Sequence, residues 1–184
     1  LKVATKPEDL RECDLVIEAI VEDLDAKAQA LKAIVPHLPK DAVMVIENAC
    51  HVRPWTRGNF NDSLASGYLA DALFDAGRSL VGYCVAVAGA GEMHLLNLSV
   101  APEHRRRGHA SFMMHALISR CRAQRLEQLW LEVRVSNESA RRLYRQLGFH
   151  EVGLRPAYYP APAGKTKARG EDAVLMHMQL EGMA

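Results

Sequence analysis

The stretch LLNLSVAPEHRRRGHASFMMHAL, residues 95–117, joins an extended apolar run to an apolar helix through three arginines and a glycine. Its spacing predicts a strand over 92–100 and a helix over 109–125. The first N–H groups of a helix have no partners within it, so a loop entering there can bind an anion. Gly108 allows close approach of the backbone to a phosphate, and the arginines add positive charge. The order strand, basic glycine loop and helix therefore suits a pyrophosphate.

The arginine run has two other interpretations, a nucleic-acid patch and a solvated charge run. A nucleic-acid reader typically shows a basic stripe with interleaved aromatic residues. Only Phe112 is near, and we expect it to share the buried face of the helix with Met113 and Cys121. The net charge of the chain is +1, so no overall field favours nucleic acid or a membrane surface. We expect no direct contact with nucleic acid.

Outward from this stretch, short strands and helices alternate. Thr56 is a candidate cap for a helix that ends at Gly67, whereas segment 41–52 is compatible with helix or strand. Glycines at 89 and 91 suit a hairpin turn. The remaining predicted elements are strands 68–75, 79–88, 126–135, 148–154 and 172–180 and a helix over 137–148. The pattern predicts an α/β protein.

Residues 1–40 form a β-α segment in this interpretation. DLVIEAI, residues 14–20, is typical of a buried parallel strand, and 24–35 has the apolar spacing of an amphipathic helix. An exposed apolar strand of this kind would invite aggregation. We therefore expect segment 1–40 to pack on a main domain of residues 41–184.

This segment resembles part of the nucleotide-binding domain of 3-hydroxyacyl-CoA dehydrogenases. The likeness is carried by DLVIEAIVEDLDAKAQALKAIVPHLPKDAV, residues 14–43, and stops there. The glycine-rich loop that holds a dinucleotide phosphate in that family is missing, so we expect neither NAD binding nor hydride transfer. The segment is interpreted either as a transplanted piece in a chimera or as an ordinary β-α unit of similar sequence.

The main domain resembles the GNAT superfamily of acetyl-CoA-dependent N-acetyltransferases, whose signature [Q/R]-x-x-G-x-[G/A] lies between a strand and a helix. Within it, the likeness narrows to the RimI-like ribosomal-protein-alanine N-acetyltransferases. It is carried by PWTRGNF (54–60), LLNLSVAPEHRRRGHA (95–110), LWLEVRVSNESARRLYRQLGF (129–149) and RPAYYP…GEDAVLM (155–176). The resemblance implies the GNAT fold, an α+β arrangement in which a mixed central sheet with flanking helices splays between strands 92–100 and 129–135. Coenzyme A would lie in that split.

The resemblance also implies a coenzyme site, in which strand backbone pairs with the pantetheine arm and the arginine loop holds the pyrophosphate. The implied residues are Leu98, Ser99, Val100, Arg105, Arg106, Arg107, Gly108, His109, Ala110, Ser111 and Asn137. Asn137 is equally a candidate helix cap. The chain departs from the family at His109, where an aliphatic residue is usual, and in the basic segment 161–170, a candidate determinant of substrate choice.

Acetyl transfer to an amine needs a proton acceptor for the amine and a proton donor for the leaving thiolate. Glu132 is the candidate acceptor, because a carboxylate between apolar strand residues is costly unless it works or is paired. Its alternative is a salt bridge with Arg134 or a neighbouring arginine. Tyr144 is the candidate donor, and its alternative is a core aromatic. In the family that the chain resembles, the equivalent glutamate and tyrosine hold these roles.

Tyr158 and Tyr159 resemble the family's loop beside the peptide channel and are expected to shape substrate entry. Their alternative is a rigid turn with two packed rings. The resemblance implies acetyl transfer from acetyl-CoA to the α-amino group of a ribosomal protein with N-terminal alanine. Acetyl transfer to another amine, or coenzyme binding without catalysis, are the alternatives.

The four cysteines are far apart and the eight histidines are scattered, so no metal site is expected. Isolated reduced thiols are typical of a cytoplasmic protein. No apolar run reaches the roughly 20 residues of a membrane-spanning helix, and no membrane contact is expected.

Overall fold

The structure is a computed structural model that describes residues 42–77, 79–161 and 169–180. The helices in these ranges are α1 (Ala42–Cys50), α2 (Arg57–Ala65), α3 (His109–Ala123) and α4 (Glu138–Gln146). The strands are β1 (Leu69–Phe74), β2 (Leu80–Gly89), β3 (Glu92–Val100), β4 (Gln128–Arg134), β5 (His150–Tyr159) and β6 (Glu171–Gln179). The predicted strand 14–20 and helix 24–35, and the packing of segment 1–40, lie outside the described residues.

Local sequence signals account for several element ends. The Thr56 hydroxyl caps α2 by accepting the backbone N–H of Asn59 at 3.2 Å, and the Asn59 side chain accepts the N–H of Thr56 at 2.8 Å. The β2–β3 hairpin turns at Ala90 and Gly91, both with positive φ, as a two-residue turn of this hand requires. The predicted cap and hairpin are therefore confirmed.

The six strands form one sheet in the order β1-β2-β3-β4-β6-β5. All neighbouring strands are antiparallel except β3 and β4, which are parallel. The connection between these two strands carries the arginine loop and α3 over one face of the sheet. A mixed sheet with flanking helices is what the resemblance implied, and the expectation is confirmed.

Helices cover both faces of the sheet. On one face, α3 and α4 enclose the larger apolar core, which includes Leu131, Val133 and Tyr144. On the other, α1 packs against β2 and β3, with Ile46 beside Tyr83. No helix in the described ranges is long and apolar enough to cross a membrane.

The buried stripe of α3 differs in part from the expected one. Cys121 and Met113 are buried as expected, but Phe112 is 37% exposed and the expectation for it is wrong. The other buried positions are Met114, Leu117 and Ile118. The stripe that faces the sheet is thus centred one position further along the helix, and Phe112 lies at its margin.

Strand β5 continues to Tyr159, five residues beyond the predicted end at Leu154. It is an edge strand, where a proline is tolerated because one side of the strand has no ladder partner. Pro156 therefore does not end it, although Ala157 adopts a positive φ of 52° and the register with β6 shifts between Arg155 and Tyr159. Tyr158 and Tyr159 consequently lie on a strand and not in a tight turn.

Candidate active site

A split opens in the middle of the sheet, between β3 and β4. The two strands pair only from Glu92 to Leu95 on β3 and from Gln128 to Leu131 on β4. Leu96 is the extra residue of a β-bulge against β2, because Asn97 lies opposite Val85 while Leu95 lies opposite Ala86. A bulge bends the strand that contains it. Beyond this point β3 and β4 diverge, and the expected splay is confirmed.

The arginine loop enters α3 through two residues in the left-handed region. Arg106 has a φ of 59° and Gly108, the N-cap of α3, has a φ of 84°. Backbone of this kind at a helix N-terminus turns successive N–H groups toward one point and forms an anion-binding concavity. A Cβ added at Gly108 would meet nothing within 4 Å, so the cradle is open to solvent.

The three arginines of the loop are placed differently. The Arg105 guanidinium donates to the carbonyl of Val100 at 3.2 Å and to the Cys50 sulfur at 3.0 Å, so it braces the loop against the end of β3. The side chains of Arg106 and Arg107 are exposed at the same end of the sheet. Two arginines are thus positioned to add charge to the concavity, while the third stabilises its base.

The first turn of α3 completes the loop. His109, Ala110 and Ser111 are half-buried there. The His109 ring lies 6.2 Å from the His104 ring, in an edge-on arrangement. The unusual histidine therefore packs on the loop's own surface, while the backbone keeps its left-handed entry to the helix.

Glu132 lies on β4 just past the point where the strands separate. Leu131 and Val133 face the core on the α3 and α4 side, so alternation directs Glu132 to the α1 side. The Glu132 side chain is 20% exposed, and its carboxylate forms an ion pair with the Arg155 guanidinium at 2.8 Å. Arg134 instead pairs with Glu171 at 3.0 Å, so the neighbouring arginine that meets Glu132 is Arg155.

Tyr144 lies on the opposite face of the sheet from Glu132. Its ring is buried in the larger core, 5.7 Å from the ring of Phe149. Burial raises the pKa of the Tyr144 hydroxyl, and neighbouring Tyr159 and Cys84 act in the same direction. The hydroxyl therefore keeps its proton at neutral pH and has that proton to donate.

Comparison with known proteins identifies this arrangement. The model of the acetyltransferase (GNAT) family matches residues 40–149. The [ribosomal protein bS18]-alanine N-acetyltransferase of Haemophilus ducreyi is 33% identical over 135 residues, which are 73% of this chain and 90% of that protein. The chain belongs to the GNAT acetyltransferase family. It is an acetyl-CoA-dependent N-acetyltransferase.

Solved structures agree with the family. The crystal structure of the ribosomal-protein-S18-alanine N-acetyltransferase from Escherichia coli superposes with a TM-score of 0.69 at 33% identity, covering 78% of this chain and 88% of that chain. Ard1 from Thermoplasma volcanium superposes with a TM-score of 0.65 at 26% identity, covering 77% and 90%. The split sheet and arginine loop of this acetyltransferase are therefore those of a GNAT fold.

A second family model, that of the 3-hydroxyacyl-CoA dehydrogenase NAD binding domain, matches residues 1–50. The resemblance inferred from the sequence of the N-terminal segment is thereby confirmed. The two models overlap over residues 40–50, which include α1. In the structure α1 packs on β2 and β3, with Ile46 and Glu47 buried, so α1 is part of the acetyltransferase core.

Tyr159 contacts two residues of β4. Its hydroxyl donates to the backbone carbonyl of Glu132 at 3.1 Å, and its ring lies 4.2 Å from the Arg134 guanidinium. Burial raises the pKa of Tyr159 to about 12, so this bond persists at neutral pH. Tyr158 packs edge-on against Tyr159 at 5.1 Å and is 46% exposed. The pair borders the split beside Glu132.

Asn137 caps α4, since its side-chain oxygen accepts the N–H of Ala140 at 3.2 Å. The interpretation as a cap is therefore confirmed, and the amide nitrogen of this side chain takes no part in the cap.

Sequence reasoning missed a buried polar cluster on the α1 side of the split. The Glu47 carboxylate is fully buried and accepts the N–H of Trp55 at 2.6 Å, the amide of Asn97 at 3.1 Å and the hydroxyl of Tyr83. His51 lies 3.3 Å from the same carboxylate. A glutamate within the apolar helix AVMVIENAC was the one available signal, but its partners lie far away in sequence.

Proposed function

We propose that this enzyme transfers the acetyl group of acetyl-CoA to the α-amino group of the N-terminal alanine of ribosomal protein bS18. The observation that carries the proposal is the identity of 32–34% to relatives named for that reaction, over 71–73% of this chain. A ribosomal substrate would place the enzyme in the cytoplasm, as its isolated thiols also suggest.

Acetyl-CoA fits the residues present on chemical grounds. The concavity at Arg106 and Gly108 offers backbone N–H groups and guanidinium groups to the pyrophosphate. Leu98, Ser99 and Val100 border the split, where backbone groups that no longer pair with β4 are available to the pantetheine amides. The amide nitrogen of Asn137 would add a donor to the coenzyme. Neither a metal nor NAD enters the proposed reaction.

The positions of Glu132 and Tyr144 suit a direct transfer. The amine nitrogen attacks the acetyl carbonyl carbon while Glu132 accepts a proton from it on the α1 side of the sheet. The carbon–sulfur bond breaks, and Tyr144 gives a proton to the departing thiolate from the opposite face. The two groups thus act on the two sides of the reacting carbon, and no acyl-enzyme is required.

Tyr158 and Tyr159 would border the entrance for the acceptor peptide. Arg53, in the loop after α1, donates two hydrogen bonds to the carbonyl of Ala161 at 3.0 and 3.2 Å. This contact joins the α1 side of the split to the chain that follows Tyr159. A bridge of this kind suits a channel that admits an extended N-terminus.

The test uses the full chain, acetyl-CoA and a synthetic peptide with the N-terminal sequence of bS18, whose products are mapped by tandem mass spectrometry. We expect one acetyl group on the α-amino nitrogen of alanine. The matched control is the same peptide with its α-amino group already acetylated, which should accept nothing. Modification of lysine in that control, or faster transfer to small-molecule amines, would contradict the proposal.

A further inference from the structure

His51 occupies a defined place in the buried cluster around Glu47. It follows α1, and its side chain is 35% exposed. Its Nε2 atom lies 2.7 Å from the Ser99 hydroxyl and 3.3 Å from the Glu47 carboxylate. The Ser99 hydroxyl in turn lies 3.1 Å from the Asn97 side-chain oxygen. These contacts form a chain from a buried carboxylate to a half-buried imidazole.

The donors in this chain fix the tautomer of the imidazole. A carboxylate only accepts, so the Asn97 amide must direct its NH₂ at Glu47 and its oxygen at Ser99. The Ser99 hydroxyl therefore donates to Asn97, and its oxygen accepts from the imidazole. Nε2 of His51 then carries the hydrogen, and the basic lone pair is on Nδ1. The cluster holds the basic nitrogen of His51 away from itself.

His51 and its partners lie on the α1 side of the split. Asn97 and Ser99 lie on the α1 face of β3, since Val85 and Tyr83 opposite them contact the α1 cluster. Glu132 lies on the same face of the sheet, but on β4. His51 and Glu132 therefore flank the split from its two sides, and both are on the side opposite Tyr144.

The amino group of the acceptor loses two protons in the course of the reaction. An α-amino group has a pKa of about 8, so roughly nine-tenths of it is an ammonium ion at pH 7. The ammonium must lose one proton before its nitrogen can attack and a second as the amide forms. Glu132 accounts for one proton only, because a carboxylate that has taken one proton is a neutral acid and does not take a second.

We propose that Nδ1 of His51 takes the first proton, from the arriving ammonium group, and that Glu47 is the positioning residue that orients it. This inference rests on the proposed acetyl transfer. The neutral amine then bonds to the acetyl carbon and loses its second proton to Glu132. The carbon–sulfur bond breaks, and the thiolate leaves with the electron pair and takes the proton of Tyr144. The proton on His51 passes to solvent, and the Glu132 proton restores Tyr144 through water.

The charged groups around His51 suit a base that releases its proton quickly. Burial lowers the pKa of the imidazole below its ordinary value of 6.5, and Glu47 acts in the opposite direction. Arg134 on β4 and Arg105 in the loop add to the lowering. These guanidinium groups disfavour a further positive charge nearby, so a protonated His51 imidazole readily releases its proton. The imidazole is therefore unprotonated at pH 7 and accepts protons until the pH falls through its pKa.

The test compares the wild type with His51→Gln, which keeps a donor at the position of Nε2 but has no basic nitrogen. The acceptor is a lysine-free peptide with N-terminal alanine, and kcat/KM is measured from pH 6 to pH 9. Without His51 only neutral amine reacts, and for an amine of pKa about 8 this lowers kcat/KM about tenfold relative to the wild type at pH 7. At pH 9 the two enzymes should agree within about twofold.

His94→Gln is the matched control, since His94 also contacts a glutamate, Glu92, at 3.2 Å. Both residues lie on the part of β3 that still pairs with β4, away from the split. It should follow the wild type at every pH. A His51→Gln profile parallel to the wild type, whether equal to it or uniformly lowered, would overturn the role of His51 as a base. Absence of acetyl transfer by the wild type would instead overturn the proposed function itself.

Discussion

Replacing Glu47 with alanine should cost the acetyltransferase a large part of its stability. The carboxylate is fully buried and accepts hydrogen bonds from the Trp55 backbone, the Tyr83 hydroxyl and the Asn97 amide. Each donor left unsatisfied in a buried site costs about 1–3 kcal/mol, so three donors set an upper range of about 3–9 kcal/mol. Water entering the space vacated by the side chain satisfies some of them. We expect the free energy of unfolding to fall by about 3–5 kcal/mol.

Urea denaturation followed by far-ultraviolet circular dichroism measures this loss, with the slope of the transition checked for constancy. Val45→Ala on the same helix is the control, because Val45 is 65% exposed, and it should change stability by less than about 0.5 kcal/mol. Adding Tyr83→Phe to Glu47→Ala should recover part of the loss, since the tyrosine hydroxyl is then no longer left unpaired. A Glu47→Ala enzyme within about 1 kcal/mol of the wild type would refute the reasoning.

The remaining predictions concern the coenzyme and the chemical step. Tyr144→Phe should keep the fold and the acetyl-CoA affinity in calorimetry but lose about 10²–10⁴-fold in kcat; full turnover would remove the tyrosine from the mechanism. Glu132→Gln should lower kcat/KM by the same factor at pH 7 as at pH 9, because Glu132 takes the proton that the amine loses during attack. Recovery of kcat/KM at pH 9 would show that Glu132 instead deprotonates the free ammonium group. Gly108→Val should weaken acetyl-CoA binding, since valine resists a φ of 84°. Gly67→Val is the control, because Gly67 has a similar φ of 76° but lies away from the arginine loop, and it should keep the wild-type affinity. Equal acetyl-CoA affinities of the two variants would refute the role of the loop as a phosphate-binding concavity. NAD should leave the melting temperature unchanged, and an upward shift would show that the N-terminal segment holds a dinucleotide.

The main domain was predictable from sequence where short-range signals act. The strand, arginine loop and helix around Gly108 follow from local pattern, and strand β3 has the predicted bounds 92–100. The cap at Thr56 and the turn at Ala90 and Gly91 are also decided by neighbours within three residues. Elements of this kind need no information from the rest of the fold.

The parts that were missed depend on distant partners. Segment 41–52 was ambiguous because a short apolar run suits either helix or strand, and it forms α1. The importance of Glu47 arises from residues 36 and 50 positions away, Tyr83 and Asn97. The length of β5 depends on its being an edge strand, which no local pattern reveals. The sequence predicted an ion pair of Glu132 with Arg134 or a neighbouring arginine. The partner is Arg155 on β5, and its position depends on how β5 pairs in the sheet.

One irregularity in β3 links the split between β3 and β4 to the polar cluster around Glu47. Without the bulge at Leu96, Leu95 and Asn97 would lie on the same face of the sheet, because strand side chains alternate. The extra residue instead leaves Leu95 in the core under α3 and turns Asn97 and Ser99 toward Glu47 on α1. Leu95, directly before the extra residue, is the last residue at which β3 pairs with β4. The bend that separates β3 from β4 is thus the same bend that turns Asn97 and Ser99 toward Glu47 and His51. In the proposed reaction, a single inserted residue would therefore set both the coenzyme side and the acceptor side of the site.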